Sequence, residues 1–534
     1  MSTPAVPDAL PVSARSPTGG AGSADLSNRR RIAAFVVMCF GMFMAILDIQ
    51  IVSASLSEIQ AGLSASADEI PWVQTAYLIA EVIAIPLSGF LSRALGTRML
   101  FTIAAAGFTF SSVMCGLSSS IDSMIIWRAV QGFIGGGMVP TVFASAYVLF
   151  PGPKQKVVAP LIGLIATMAP TVGPTIGGYV THLMSWHWLF FINIGPGIVV
   201  TIAAWTLIDF DKADYSLLDD FDWTGLISMA GFLGALEYVL EEGPRKDWFD
   251  DGAIAVMSIA SAASAAVFFY RVLTARSPIV DLRAFANRNF TIGSLFSFVL
   301  GIGLYGLTYL YPVYLAQVRG YDALMIGDTM FVSGLAMFLT APIAGQMAQR
   351  FDPRFVLIGG FLFFALGTWQ MTGITHDWDF YELLWPQIFR GIGLMLAIVP
   401  VTNTALGTLP PDRIKNASGL FNLTRNLGGA IGLAAINTLL NNRMDLHLAR
   451  LRDSVNASSV TATETLNQLT QKFGGVDGQV KALKQMSLMV RQQASVMSFA
   501  DVFLVLTVLF VALAALGVIM KRPALPAGAK IDAH

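Results

Sequence analysis

Residues 86–98 read Pro86-Leu-Ser-Gly-Phe-Leu-Ser-Arg-Ala-Leu-Gly-Thr-Arg98 at the end of a long apolar segment. A second apolar segment ends in a similar way, with Pro342-Ile-Ala-Gly-Gln-Met-Ala-Gln-Arg-Phe-Asp-Pro-Arg354. The first Pro, the Gly and the last Arg have the same spacing in both stretches. A weaker similarity relates residues 131–140 to residues 390–400. Parallel internal repeats in membrane proteins are related by an axis along the membrane normal, so the sequence predicts two similar helical halves.

The composition also indicates a membrane protein. Of the 534 residues, 55% are hydrophobic and 13% are charged, whereas an ordinary soluble domain is about a quarter charged. We therefore expect lipid to contact most of the outer surface. The net charge of −1 gives no sign of a nucleic-acid partner, and two cysteines form neither a disulfide framework nor a zinc motif. Because no nucleophile–base pair, metal cluster or phosphate-binding loop is visible, we expect a protein that is not an enzyme.

A membrane-spanning helix needs about 20 apolar residues, and the chain contains fourteen such segments. The predicted spans are 32–55, 70–91, 99–119, 122–148, 158–181, 187–208, 223–243, 253–274, 290–316, 324–348, 355–375, 381–408, 415–440 and 498–520. The sequence therefore predicts an all-α polytopic membrane protein with a 6 + 2 + 6 arrangement of spans. The predicted units are a disordered tail (1–30), a six-helix bundle (31–208), a two-helix insertion (209–288), a second six-helix bundle (289–520) and a tail (521–534).

Lysine and arginine in short loops predict the orientation, because such loops stay in the cytoplasm. Before the first span and after the even-numbered spans, except the sixth, these residues are Arg29, Arg30, Arg31, Arg93, Arg98, Lys154, Lys156, Arg276, Arg283, Arg288, Arg350, Arg354, Arg413, Lys415, Lys521 and Arg522. Both termini are therefore predicted to be cytoplasmic. The acidic loop at 209–222 does not inform the orientation. The long loop at 441–497 would be periplasmic, either as a solvated loop or as a docking surface for a periplasmic partner.

Charged residues inside predicted spans are candidates for function, because each costs roughly 2.5–3.5 kcal/mol to insert. Asp48 lies roughly 12 Å and Arg128 roughly 9 Å from the same membrane surface, at about 1.5 Å per helical residue. These two residues could therefore form a pair or share a polar cavity. Glu81 lies near the midplane, and Arg390 and Arg425 lie near mid-depth in the second half.

The buried charges predict a mechanism of proton coupling. Burial favours the protonated form of a carboxyl group, and a neighbouring arginine favours the ionised form. A carboxylate that alternately meets and loses Arg128 would release and bind a proton. We predict that Glu81 or Asp48 carries the proton and that Arg128 adjusts its affinity; the alternative is a permanent buried ion pair. The three glutamates at 237, 241 and 242 are predicted to lie at the membrane interface.

The run Gly135-Gly136-Gly137 is not followed by the lysine of a phosphate-binding loop, so we expect no cofactor and an ion gradient as the energy source. Aromatic side chains in spans 9 to 12 are candidates for contact with amphipathic or cationic compounds, although lipid-facing aromatics are common. These aromatic candidates are Tyr305, Tyr309, Tyr311, Tyr314 and Trp369.

Four motifs resemble those of the major facilitator superfamily and, within it, the fourteen-span drug:proton antiporters of EmrB/QacA type. The motifs are Leu47-Asp48-Ile-Gln-Ile-Val52, the loop from Gly89 to Arg98, Trp127-Arg128-Ala-Val-Gln131-Gly132, and Ala169-Pro-Thr-Val-Gly-Pro-Thr-Ile-Gly-Gly178. The sequence departs from the family at two positions. Arg93 stands where the superfamily has an aspartate, and Gln50 stands where the span 1 motif has a threonine.

The resemblance implies roles for two groups of residues. The gating residues would be Gly89, Arg93, Gly96 and Arg98, where Arg93 and Arg98 serve either as a cytoplasmic latch or only as an orientation signal. The antiporter motif would consist of Pro170, Gly173, Pro174, Gly177 and Gly178. This motif would either seal the outward face and shape a hinge or only allow close helix packing.

The resemblance also implies an activity and partners. We expect a proton-driven antiporter in the cell inner membrane that exports amphipathic drugs or toxic compounds. It would work with a periplasmic adaptor of EmrA type and an outer-membrane channel of TolC type. The alternatives are a dedicated exporter of an endogenous metabolite, fatty acid or siderophore, and a non-transporting receptor on the same fold.

Overall fold

The computed structural model describes residues 20–66, 68–150, 155–275, 278–456, 458–474 and 477–519, and the regular structure in these ranges is helical. The α-helices are α1 (Gly20–Ala54), α2 (Leu56–Leu63), α3 (Trp72–Ala94), α4 (Thr97–Gly116), α5 (Ile121–Gly135), α6 (Met138–Leu149), α7 (Gln155–Leu183), α8 (Trp188–Phe191), α9 (Ile194–Leu207), α10 (Trp223–Glu242), α11 (Gly252–Thr274), α12 (Arg288–Tyr314), α13 (Ala323–Arg350), α14 (Pro353–Gln370), α15 (Phe380–Leu406), α16 (Pro411–Ser454), α17 (Val460–Phe473) and α18 (Gly478–Ile519).

Helices cover all fourteen predicted spans, which confirms the all-α membrane fold. Twelve helical segments in the described ranges are long and apolar enough to cross a membrane by themselves. A thirteenth span would be α7, whose two parts are bent by 40° at residue 170, a proline. Proline cannot donate the helical hydrogen bond, so a bend is expected there. Helix α16 covers the remaining predicted span, but it contains too many polar residues to be apolar enough to cross a membrane by itself. A count of fourteen is therefore consistent with the structure.

Both predicted tails fall mainly outside the described residues. Residues 20–30 of the N-terminal tail are an exception, because they belong to α1 rather than to an irregular segment.

The internal repeat appears in the packing of two helix pairs. A Cβ atom on Gly132 of α5 would clash with the backbone oxygen of Tyr77 in α3. In the second half, a Cβ atom on Gly391 of α15 would lie 2.6 Å from the backbone oxygen of Ser333 in α13. Tyr77 and Ser333 each stand nine residues before the first proline of their repeat. Equivalent positions therefore make the same close helix contact, which only a small residue allows.

Two seams connect the first and second predicted halves. In one seam α3 packs against α16, and a Cβ atom on Gly89 would lie 3.0 Å from the backbone oxygen of Lys415. In the other seam α7 packs against α13, where a Cβ atom on Gly327 would lie 2.5 Å from the Cα atom of Thr175. Small residues therefore set the helix separation at both seams.

The inserted helix α10 contacts both α3 and α16. Gly234 of α10 packs on α3, and the ring of Tyr238 stacks on Trp72 with centroids 5.6 Å apart. Just after α10, the indole Nε1 of Trp248 donates a 2.9 Å hydrogen bond to Thr438 in α16. Helix α11 packs on α10 and presents exposed apolar residues to the outside. The insertion therefore covers one side of the α3–α16 seam.

The predicted loop at 441–497 consists mostly of helices in the residues that the structure describes. Helix α16 continues to Ser454, α17 follows, and α18 begins at Gly478. Nε2 of His447 lies 2.9 Å from a carboxylate oxygen of Asp501, which ties the end of α16 to α18. Helices α16 and α18 thus extend past the predicted apolar spans, and α17 ends before Gly474, whose φ is +56°.

Candidate functional site

Asp48 and Arg128 form a completely enclosed ion pair. Nη1 of Arg128 lies 2.6 Å from Oδ2 of Asp48, and neither side chain is exposed. Oδ1 of Asp48 accepts hydrogen bonds from Asn193 (2.8 Å) and Gln131 (3.3 Å). Nη1 of Arg128 also donates to Gln131 (2.7 Å), and Nε donates to the backbone oxygen of Val73 (3.1 Å). The structure thus brings together two predicted site residues and ties α1, α3, α5 and the start of α9 around them.

This enclosure bears on which carboxylate could exchange a proton. Both oxygens of Asp48 already accept hydrogen bonds, and the guanidinium of Arg128 lies 4.3 Å from the ring centre of Tyr77. A pair with this many partners resists separation, because each unmade bond would leave a buried polar group unsatisfied. The geometry favours the permanent-pair alternative for Asp48.

A central cavity of about 300 Å³ lies between α1, α3, α10, α12 and α16. Its polar and acidic lining residues are Gln50, Ser53, Gln74, Glu81, Glu237, Glu241, Tyr305, Thr308, Tyr309, Asn426 and Asn437. Within the described ranges, no group of three His, Cys, Asp or Glu side chains could hold a metal ion. The cavity is therefore an acidic, partly aromatic space beside the α3–α16 seam.

Glu81 faces this cavity from the middle of α3. The residue is 8% exposed, and no hydrogen bond or ion pair reaches its carboxylate within the part of the chain that the structure describes. Asp48 and Arg128 do not line the cavity. Glu81 therefore borders the cavity directly, whereas Asp48 is enclosed away from it.

The glutamates of α10 differ from the prediction that placed them at the membrane interface. Glu237 is 6% exposed and lines the central cavity together with Glu241. Glu242 faces elsewhere and lies 2.5 Å from Nη2 of Arg245. Residues four apart share one face of a helix, and the contact of Gly234 with α3 turns that face toward the cavity. The four-residue spacing was visible in the sequence, but the direction of that face was not.

The two buried arginines of the second half have no carboxylate partner among the described residues. Nη2 of Arg390 donates to Thr308 (2.7 Å) and Nη1 to Gln387 (3.2 Å). Arg425 donates to Asn422, and its guanidinium lies 5.1 Å from the ring centre of Phe143. Nε and Nη1 of Arg425 have no hydrogen-bond partner in the same ranges. Arg390 reaches the cavity wall through Thr308, whereas Arg425 is not one of the residues that line the cavity.

Asp211 connects α4 and α16 at the bundle end that carries the α3–α4 turn, and the sequence did not indicate it as a site residue. The carboxylate of Asp211 accepts hydrogen bonds from the backbone nitrogen (2.9 Å) and hydroxyl (2.6 Å) of Thr97 at the start of α4. Lys415 forms an ion pair with Asp211 and donates to the backbone oxygen of Ser92 (3.1 Å). The sequence feature that could have indicated Asp211 is the acidic loop at 209–222, because it departs from the pattern of basic loops on the predicted cytoplasmic side.

The predicted latch arginines make other contacts at this end. The guanidinium of Arg93 lies 5.9 Å from the ring centre of Phe90, and that of Arg98 lies 4.4 Å from the ring centre of Trp205. Gly96 has a φ of +78°, which favours glycine at the turn into α4. The structure therefore places the ion pair on Lys415 and Asp211, and the latch role of Arg93 and Arg98 stays a prediction.

The antiporter motif forms a packing surface on α7. A Cβ atom on Gly173 would clash with the side chain of Gln50, and one on Gly177 would lie 3.1 Å from the backbone oxygen of Ile51. Pro174 and Gly178 are buried, while the side chain of Pro170 lies outside the described residues. The glycines allow α7 to approach α1 beside the cavity-lining Gln50. This contact is compatible with both predicted roles of the motif, close helix packing and a hinge.

The aromatic candidates separate into three environments. Tyr305 and Tyr309 line the central cavity. Tyr311 and Tyr314 are fully buried, with edge contacts to aromatic rings of α18. Trp369 is 59% exposed on the outside of the bundle. Only the first pair is placed to contact a molecule in the cavity.

Comparison with known proteins gives consistent results. The profile of the Major Facilitator Superfamily matches residues 38–433. The chain is 43% identical over 492 residues to the colistin resistance protein EmrB of Acinetobacter baumannii, covering 92% of this chain and 96% of the relative. It is 30% identical over 493 residues to the fatty acid resistance protein FarB of Neisseria gonorrhoeae, covering 92% and 96%.

A third relative is the multidrug export protein EmrB of Escherichia coli, which is 30% identical over 435 residues, with 81% of this chain and 85% of the relative covered. The family match and the relatives agree with the helical fold, the repeat and the four motifs. The chain therefore belongs to the major facilitator superfamily and, within it, to the EmrB-type transporters.

Proposed function

We propose that this protein exports amphipathic compounds across the cell inner membrane in exchange for protons, with Glu81 as the proton carrier. The observation that carries the proposal is the carboxylate of Glu81, which faces the central cavity without a hydrogen bond or ion pair to the described residues. The printed names of two relatives, a multidrug export protein and a colistin resistance protein, support export of toxic compounds.

The coupling follows from competition for one carboxylate. A buried carboxyl group without a charged partner favours its protonated form. A substrate group that approaches the carboxylate favours the ionised form, and the proton is then released. Because Glu237 and Glu241 face the same space, their charges oppose full ionisation of all three groups. The proton gradient supplies the energy, without a cofactor.

The partners proposed are a periplasmic adaptor of EmrA type and an outer-membrane channel of TolC type. The helical extensions of α16 and α18, together with α17, give a folded helical surface beyond the apolar spans. A surface that is already folded loses less entropy on docking than an unfolded loop would. The adaptor would contact these helices if both chain termini lie in the cytoplasm, as the basic loops predict.

One experiment tests the coupling. Purified protein in a weakly buffered solution receives each member of a panel of amphipathic compounds, and proton release is recorded with a pH-sensitive dye. Efflux from cells is measured for the same panel with and without an uncoupler. We expect Glu81→Gln to abolish substrate-dependent proton release. The proposal for Glu81 fails if Glu81→Gln keeps proton release and efflux intact, and the whole proton-carrier idea fails if Asp48→Asn keeps them intact as well.

A dedicated fatty acid exporter is the second candidate, since a relative of 30% identity bears the name fatty acid resistance protein. The cavity lining combines apolar residues with polar groups and would accept a single-chain amphipath as well as a drug. A deletion strain separates the two functions. Sensitivity to long-chain fatty acids alone supports the dedicated exporter, and sensitivity across unrelated compound classes supports multidrug export.

A further inference from the structure

A second cavity of about 660 Å³ lies between α12, α16 and α18, at the bundle end opposite the Lys415–Asp211 ion pair. We call it the outer chamber. Its volume falls within the range of about 300–1,000 Å³ that is typical of small-molecule sites. The helical extensions of α16 and α18 form much of its wall, so the chamber exists only because these helices continue beyond the apolar spans.

The wall of the outer chamber is amphipathic. Carboxamide side chains line it at Gln317, Asn441, Gln485 and Gln492, and each can both donate and accept hydrogen bonds. Its other lining residues include apolar side chains of α12, α16 and α18. Among the described residues, Arg491 is the one charged side chain of this lining, whereas the central cavity has three carboxylates. The outer chamber can therefore hold an amphipathic molecule. Because its lining has no acidic side chain among the described residues, it would not retain a cation as the central cavity would.

Tyr309 and Asn437 form the wall between the two cavities, because both residues line both spaces. The hydroxyl of Tyr309 donates a 2.6 Å hydrogen bond to Oδ1 of Asn437. Helices α12 and α16 pack most closely further along, where a Cβ atom on Gly428 would clash with the backbone of Phe298. A second hydrogen bond between these helices, from Tyr305 to Asn426 (3.1 Å), lies in the lining of the central cavity alone. Among the described residues, the Tyr309–Asn437 bond is therefore the one whose two members both border the outer chamber.

We propose that the outer chamber is a second binding site for the amphipathic substrate after it leaves the central cavity, and that the Tyr309–Asn437 pair is the gate between the two sites. The inference rests on the proposed export function and extends it. The substrate passes the gate when the hydrogen bond opens, and its polar groups then bind the carboxamides of the chamber. The helical segment 441–497 thereby gains a role in the transport path itself.

The first test fills the chamber. Asn441→Trp and Gln492→Trp place a large ring in it, and Ser487→Trp is the matched control at an exposed position of α18 outside the chamber lining. Proteoliposomes are loaded with a fluorescent amphipathic cation, ethidium, or anion, anilinonaphthalene sulfonate. We expect the filled variants to transport at least tenfold more slowly than the control. Their affinity for the same probe in detergent should stay within twofold of the wild-type affinity.

The second test locks the gate in a single sample. The double variant Tyr309→Cys/Asn437→Cys is joined by a short bifunctional methanethiosulfonate, and the two natural cysteines are buried. Transport should stop on cross-linking and return after dithiothreitol. If the double variant does not transport before cross-linking, the tryptophan variants decide whether the outer chamber is on the transport path, because they leave both gate residues unchanged.

The outcomes separate the two proposals. If wild-type protein moves neither probe under a pH gradient, nor any member of the efflux panel, the proposed function fails. If wild-type protein transports but the filled variants match the Ser487→Trp control, or if cross-linked protein transports at the unlinked rate, the outer chamber and its gate are not on the path.

Discussion

Nη1 of Arg128 lies 2.6 Å from Oδ2 of Asp48, and both side chains are completely buried in a network that spans four segments of the first half. The partners of Asp48 are Arg128, Gln131 and Asn193. Glu81, one helix away, has no such partners within the described ranges. Two carboxylates that the sequence treats alike therefore have different surroundings, one enclosed in an ion pair and one facing the central cavity.

The enclosed pair predicts a loss of stability when Asp48 is neutralised. Removing one partner of a buried ion pair costs about 3–5 kcal/mol, because the remaining charge is left uncompensated. We expect Asp48→Asn to lower the melting temperature of the purified protein by several degrees in a thermal unfolding scan in detergent. Glu81→Gln should leave it nearly unchanged. A variant Asp48→Asn with wild-type stability and no proton coupling would instead make Asp48 the carrier.

The repeat predicts equal effects of two distant glycines. Gly132→Ala and Gly391→Ala each place a methyl group against the backbone of a neighbouring helix. Overpacking of this kind costs about 1–3 kcal/mol, so both variants should unfold at lower temperature than wild type. Gly359→Ala is the control, because a Cβ atom there meets nothing within 4 Å. Stability of either repeat variant equal to that of the control would contradict the packing.

The Lys415–Asp211 ion pair predicts a conformational shift. Asp211→Asn removes the charge that holds α16 to the start of α4, so the closed end should open more often. Spin labels are placed at Met99 and Asp412, and electron spin resonance measures the distance between them. The population with the longer distance should rise at least tenfold in Asp211→Asn, which corresponds to about 1.4 kcal/mol. Asp209→Asn is the control in the same loop, since its carboxylate is 62% exposed and 3.8 Å from Arg30. Identical distance distributions for the two variants would show that the Lys415–Asp211 ion pair does not hold this end of the bundle together.

The position of Glu237 in the cavity lining predicts that the protein transports cations faster than anions. Because its carboxylate is 6% exposed and faces the central cavity without a partner among the described residues, it favours molecules with a positive centre. We expect Glu237→Gln to slow ethidium transport at least fivefold and to slow anilinonaphthalene sulfonate less. Glu58→Gln, an exposed change outside the cavity, should alter neither rate. Equal slowing of both probes would point to a structural role for Glu237.

The site was predictable in part. The sequence placed Asp48 and Arg128 at matching depth, and the structure pairs them. It did not find Asp211 or Glu237, because one lies in an acidic loop and the other was assigned to the membrane interface. Both positions depend on contacts between segments far apart in the chain, namely the ion pair with Lys415 and the packing of Gly234 on α3. Neither contact has a local signature.

The sequence by itself determined that this chain is a helical membrane protein with an internal repeat. Apolar segment length is enough for that, because lipid satisfies no backbone hydrogen bond and so forces each long apolar segment to form a helix. Only the tertiary structure decided that Asp48 is enclosed, that Glu81 and Glu237 share a cavity, and that segment 441–497 builds a second one. The position of a residue along a span gives its depth, whereas the direction it faces depends on which helices pack around it.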